Sequence, residues 1–174
     1  MPEENKILIV LTGGTVDSRW DGKLDTAVVR EHSSVPEYFE TLILYARVEF
    51  REACMKDSRN LKTGDLRNIL NIVEHAPHKK IIITHGTYTM QDTARYLQAQ
   101  LKRNDQTIIF TGSMIPLRGF ESSDAPFNLG YALAKAEELK PGMYLCMNGR
   151  TFNPDEVAKN LSEGKFFSVF DKEQ

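Results

Sequence analysis

The chain is predicted to fold as an α/β protein: a doubly wound, mostly parallel sheet held between two layers of helices, three layers in all. Three observations predict it. Short apolar, β-rich runs at Ile7 to Leu11, Ile81 to Ile83 and Ile108 to Phe110 have no polar alternation, as expected of strands buried on both faces. Stretches of helical period separate these runs, the alternation of a parallel sheet covered on both sides. Each run also ends on a hydroxyl- and glycine-rich segment: Thr12-Gly13-Gly14-Thr15, Thr84-His85-Gly86-Thr87 and Thr111-Gly112-Ser113-Met114. The carboxyl ends of strands are where an open α/β sheet takes its ligand.

In chain order, the first strand spans Lys6 to Thr12 and stops at the Gly13-Gly14 pair, where the backbone can turn sharply and come close to a ligand. Residues 16 to 34 are polar and irregular and are expected to form a mobile loop. A helix begins near Pro36 and a strand follows at Arg47 to Arg51. The loop Asp57-Ser58-Arg59-Asn60 leads into a helix with Thr63 as its N-cap, Leu66, Ile69, Leu70 and Val73 on one face, and Pro77 as its stop. After a strand at 80 to 84, Thr89 and Asp92 have capping-box spacing ahead of the face Met90, Ala94, Leu97 and Leu101. A strand at 106 to 111 leads to a helix over 124 to 139, with Pro126 in its first turn. A fifth strand runs from Met143 to Met147; the tail is read as loop, a helical turn around 155 to 161 and a short strand from Phe166 to Phe170. With no repeat or linker, residues 1 to 174 are taken as one domain.

Composition narrows the partners. The chain is 41% apolar and 26% charged, with net charge -2, which gives no basic footprint for nucleic acid. No apolar run approaches the roughly 20 residues that span a bilayer. The acidic, polar start at residues 1 to 5 is unlike a signal peptide. Cys54 and Cys146 are expected to be free thiols, and a cytoplasmic location is expected with them.

The chemistry-bearing residues are hydroxyls. A threonine is a poor nucleophile unless a base, a cation or an oriented donor network activates it. Thr15 follows the glycine pair, Thr87 follows Gly86 at another strand end, and Lys159 is the candidate cation, able to lower its pKa when desolvated. Ser58 could receive a substrate carboxylate. Singly, each has a plainer explanation: a Gly-Gly pair is a common turn, His85 a satisfied core histidine, Ser123-Asp124 a helix cap, Lys159 a solvated lysine. Their order at successive strand ends raises the functional reading. His32, His75 and His78 lack the spacing of a metal site. No Gly-Lys-Ser/Thr follows Gly13-Gly14, which makes a phosphate loop a poor reading.

These segments resemble the N-terminal domain of the bacterial-type L-asparaginases. The family's Thr-Gly-Gly-Thr signature is matched by Thr12 to Thr15, and its Thr-His-Gly-Thr-Asp-Thr-Met signature by Thr84 to Met90, with Tyr88 in place of the Asp. Thr111 to Met114 with Pro116, Ser123-Asp124 with Pro126 to Leu129, and Met147-Asn148 followed twelve residues after the Met by Lys159 match further family segments. The resemblance implies an amidohydrolase acting on L-asparagine or a related small amide without metal or cofactor, as a homodimer or homotetramer. It implies Thr15 as nucleophile, Thr87 and Lys159 as a second catalytic pair, and Gly14, Asp57, Ser58, Gly86 and Tyr88 as substrate-binding residues. Trp20 takes the place of the family's loop tyrosine, as part of a lid. Tyr88, a phenol neutral at pH 7, is expected to weaken amino-acid binding. The family's C-terminal domain is expected to be absent. The alternative is a non-catalytic module that keeps the pocket to sense a small carboxylate or amide.

Overall fold

The structure is a computed structural model and describes residues 6–171. The readings of residues 1 to 5 and of the last three residues lie outside the described residues.

Five strands form the parallel body of one sheet: β1 (Ile7–Gly13), β4 (Val48–Lys56), β5 (Lys80–Thr84), β6 (Thr107–Thr111) and β7 (Gly142–Met147). A short β8 (Arg150–Phe152) adds antiparallel to β7, and the order is β4-β1-β5-β6-β7-β8. Counted among the parallel strands alone, the order is 2-1-3-4-5. The winding therefore reverses between β1 and β5, and their carboxyl ends open a crevice.

Among the described residues, four helices cover the sheet. α2 (Thr63–His75) and α3 (Met90–Gln100) place Ile69, Ile72, Val73, Ala94 and Leu97 against Leu8, Val10, Ile81, Ile83 and Phe110. On the other face, α1 (Val35–Glu40) and α4 (Ala125–Glu138) pack Val35, Phe39, Leu129 and Ala132 against Ile7, Ile9, Leu11, Ile82 and Ile109. Consecutive residues of one strand thus feed opposite cores. That is why these runs are continuously apolar, and why the predicted three-layer α/β fold stands.

Several local readings change. Residues 16 to 34 are not an irregular loop: a 3-10 turn at Thr15–Asp17 leads into a hairpin of β2 (Ser18–Asp21) and β3 (Thr26–Val29). The ribbon is mostly exposed and buries no continuous apolar stripe, so its residues carry no clear period. Asp21 closes its turn by accepting from the Lys23 and Leu24 N–H groups at 2.9 and 3.3 Å. The expected helical turn at 155 to 161 is a strand, β9 (Val157–Asn160), paired with β10 (Lys165–Ser168). Its inward residues Val157 and Phe166 join the α2/α3 core, and that burial overrides the local polar pattern. β4 runs on to Lys56 rather than ending at Arg51.

Two caps shift as well. Lys62, not Thr63, is the N-cap of α2, with the Asp65 carboxylate accepting from the Lys62 N–H at 2.8 Å. Thr89 occupies the N-cap of α3 but turns its hydroxyl to the Ser58 carbonyl at 3.0 Å, so no capping box forms. Cys54 and Cys146 are free, and burial pushes both thiols up to about 11. Among the described residues no helix is long and apolar enough to cross a membrane.

Candidate active site

The crevice is built by three loops stacked at glycines. The Thr12 hydroxyl donates to the Thr84 carbonyl at 2.7 Å, locking the ends of β1 and β5 together. Gly14 follows at φ 81 and ψ -167, a region open essentially to glycine alone. A Cβ there would lie 2.4 Å from the Gly86 nitrogen, and a Cβ on Gly86 would lie 2.7 Å from the Ser58 Oγ. The glycines of the two signatures thus let the turn after β4 join the same contact. That turn, Ser58–Asn60, is capped by Asp57, whose carboxylate accepts from the Arg59 N–H at 2.9 Å.

Two cavities open where these loops meet. One, of about 320 Å³, is lined by Thr15, Thr87, Tyr88, Met114, Lys159 and the β9–β10 turn. The other, of about 560 Å³, lies between β3 and the loop after β4, with Thr15, Lys56, Asp57, Arg59 and Tyr88 on its wall. Thr15 and Tyr88 stand at the junction of the two. A further cavity, of about 370 Å³, lies around Arg103 and Gln106 at the amino ends of β6 and β7, away from these residues.

Lys159 sits on β9 and donates to the Thr87 hydroxyl oxygen at 2.7 Å. Desolvation holds its pKa below the ordinary lysine value, since burial disfavours the charged form. Among the described residues the Thr87 hydroxyl itself has only the Met114 sulfur as acceptor, at 3.7 Å. Sequence periodicity could not place Lys159, because the tail hairpin is pinned from elsewhere. The Asn148 side-chain carbonyl accepts from the Phe166 N–H at 3.0 Å, and the Asn148 N–H donates to the Asn128 side chain at 3.2 Å. Asn128 in turn donates to the Gly112 carbonyl and to Asp124, both at 3.0 Å. The Asp124 carboxylate also accepts from the Met114 and Ile115 N–H groups, while at the start of α4 the Ser123 hydroxyl accepts from the Ala125 N–H. Thr111 to Ser113 and the Ser123-Asp124 pair therefore scaffold the site, while Met114 lines it.

The other predicted residues divide. Ser58 and Gly86 are buried and line neither cavity, and among the described residues the Ser58 hydroxyl has no partner. Asp57 reaches the larger cavity, but Arg59 takes both of its oxygens, at 3.0 and 2.7 Å, and holds the carboxyl below its usual range. Tyr88 is half exposed, with the Arg59 guanidinium 4.4 Å and the Lys159 ammonium 4.6 Å from its ring centre. Trp20 lines neither cavity; from its hairpin, Ser18 and the β3 residues 26–29 supply the wall of the larger one. The Gly14 N–H donates to the Lys56 carbonyl at 2.9 Å, which removes it as an oxyanion donor. His85 is fully buried, bonds the Gly86 carbonyl through Nδ1 at 2.7 Å, and is lowered to about 4 by burial.

Two residues were missed. Arg59 lay in a quoted loop, but only the fold brings it against Tyr88. Asp17, fully buried at the root of the hairpin, accepts from Ser33 Oγ at 2.9 Å and Ser34 N–H at 2.8 Å, and burial raises its pKa. Its polarity had suggested a solvated loop. Among the described residues no group of three or more His, Cys, Asp or Glu is placed to hold a metal.

Comparison with known proteins bears on the family and the fold. The family model described as "Asparaginase, N-terminal" matches residues 6–171. The chain is 28% identical over 173 residues to a glutaminase-asparaginase of Acinetobacter glutaminasificans, covering 91% of this chain and 51% of that protein. It is 29% identical over 172 residues to an L-asparaginase of Thermococcus kodakarensis, covering 91% and 49%. The solved structure of the thermostable L-asparaginase from Thermococcus kodakarensis superposes with a TM-score of 0.79, covering 96% of this chain and 52% of that one. The chain spans about half the length of these relatives.

Proposed function

The chain belongs to the asparaginase family, and from that membership we propose that it is an amidohydrolase of small amides with Thr15 as nucleophile. The observation that carries the reading is the Lys159–Thr87 bond at 2.7 Å in the wall of the cavity that Thr15 also lines. A desolvated lysine against a buried hydroxyl, at the switch point of the sheet, has no evident structural purpose, and perturbed groups in a cleft favour chemistry.

In this reading the Thr15 Oγ attacks the amide carbon. The C–N bond breaks, and ammonia leaves carrying the threonine proton. Water then adds to the ester, the C–Oγ bond breaks, and a proton returns to Thr15. Lys159 acts on both steps as a positive charge beside Thr87, whose weakly held hydroxyl hydrogen can turn from Met114 to the reacting group. The Thr87 N–H, which no carbonyl takes among the described residues, is the preferred donor to the developing oxyanion. Gly14 and Gly86 allow close approach, the unpartnered Ser58 hydroxyl receives the ligand's carboxylate, and the β2–β3 hairpin with Trp20 is the lid. The relatives' names point to the amides of asparagine and glutamine. The steps as written draw on residues of this chain alone and invoke no cofactor. A cytoplasmic location and a homodimer or homotetramer complete the proposal, the latter checked by light scattering.

Thr15→Ala tests it. Stability should change by less than about 0.5 kcal/mol, as for a part-exposed turn position. Ammonia release from a panel of small amides should fall at least about 10²-fold, as when a nucleophile is removed. Unchanged turnover in a folded variant removes Thr15 from the role.

A further inference from the structure

The charges around Thr15 define what the site can hold. Lys56, Asp57 and Arg59 line the larger cavity, and Lys159 lines the smaller. Among the described residues Asp57 is the only carboxylate on either wall, and Arg59 occupies both of its oxygens. Lys56 is matched by Asp65 outside the cavity, at 2.8 Å. Lys159 has no carboxylate partner among the described residues; it contacts the Thr87 hydroxyl and the Tyr88 ring. The balance on the walls is positive. Tyr88, a neutral side chain at the junction, already has two cations against its ring.

An amino-acid ligand brings an ammonium and a carboxylate. Its ammonium would leave water for a site with no free counter-charge and an uncompensated lysine nearby, and an unpaired charge taken out of water is strongly disfavoured. A ligand with the carboxylate but without the ammonium keeps the attraction to Lys159 and escapes the repulsion. We propose that this site selects amide acids lacking an α-ammonium, the monoamides of short dicarboxylic acids, over amino-acid amides. The amide part rests on the amidohydrolase reading above; the preference for an anion without an ammonium rests on the wall charges alone.

Binding of the products separates the two, because succinate and L-aspartate differ only in the ammonium and neither needs turnover. Titration calorimetry of the full chain should give succinate at least about tenfold tighter binding than L-aspartate, a difference of 1.4 kcal/mol. Two variants should reverse or erase that ratio by different routes. Tyr88→Asp places a carboxylate at the junction. Arg59→Met frees the carboxylate already present at Asp57, so the proposal stays testable if one variant fails to fold by circular dichroism. L-Aspartate binding equal to or tighter than succinate in the unmodified chain overturns the proposal, as does no saturable binding of succinate. Ammonia release from succinamic acid and L-asparagine then decides the linked reading. Tighter succinate binding with hydrolysis of neither amide rejects the amidohydrolase and keeps the selectivity. Faster hydrolysis of L-asparagine than of succinamic acid keeps the amidohydrolase and rejects the selectivity.

Discussion

Lys159 and Thr87 come from β9 and from the loop after β5 and meet through one hydrogen bond of 2.7 Å. If the bond is the working unit, removing either partner disables both. Lys159→Met and Thr87→Val should each lower turnover strongly, and the double variant should be little worse than the singles, since residues acting together are non-additive. Steady-state ammonia release checks this, and losses that multiply would assign two separate roles. His85 carries an opposite expectation. Its Nδ1 must donate, because the Gly86 carbonyl can only accept, and burial keeps the ring neutral with a pKa of about 4. A depressed histidine contributes stability that is complete above its unfolded value near 6.5 and is lost as pH falls toward 4. Nitrogen-15 spectra should therefore find one Nδ1–H tautomer that does not titrate between about pH 5.5 and 8. A titration centred near the ordinary value would place His85 in solvent contact and reopen it as an acid–base group.

The loops at the sheet's carboxyl edge are held by backbone contact rather than by side-chain packing. Gly14→Ala forces a Cβ to within 2.4 Å of the Gly86 nitrogen, at a φ of +81. It should destabilise the protein by about 2 kcal/mol or more and abolish ligand binding, because strain and overlap fall on two backbones that cannot rotate away. Gly22→Ala is the matched control: it sits in the hairpin turn with nothing near its added methyl, and it should shift stability by less than about 0.5 kcal/mol. Urea midpoints for the pair make the comparison. Equal effects would mean that the stack at Gly14 is looser than described. The hairpins β2–β3 and β9–β10 differ in the same way. The first lies mostly in solvent, whereas the second feeds Val157 and Phe166 into the core and is tied to Asn148, as an element carrying Lys159 requires.

At the scale of the whole molecule, one sheet divides two cores and shares every central strand between them. Ile82 belongs to the core under α1 and α4, and its neighbour Ile83 to the core under α2 and α3. Neither core can melt while the other keeps its strands. Ile82→Ala and Ile83→Ala should each cost about 2–5 kcal/mol and leave a single cooperative transition. Urea unfolding followed by circular dichroism and by fluorescence of the only tryptophan, Trp20, checks it. Transitions that separate by core would divide residues 6–171 into two folding units.

The apolar runs, the helix faces and the two Thr-Gly motifs were legible because each is a local signal whose period or composition reports burial directly. They sufficed for the three-layer fold, the order of the main elements, and Thr15 and Thr87 at strand ends. What the chain could not announce by itself depends on contacts between distant segments. Trp20 is assigned to a lid by resemblance, and only the pairing of β2 with β3 decides that Ser18 and residues 26–29 of that hairpin, not the indole, line the cavity. Residues 155 to 161 read locally as a helical turn, yet Val157 finds the core and pairs that segment with the strand expected near Phe166, making the hairpin that delivers Lys159. Asp57 had been a candidate for binding substrate, yet Arg59 closes both its oxygens. Sequence period records which face of an element is buried; it carries no record of which charges end up facing one another across a cavity. That pairing is decided only when the strands align, and here it determines the electrostatic character of the site.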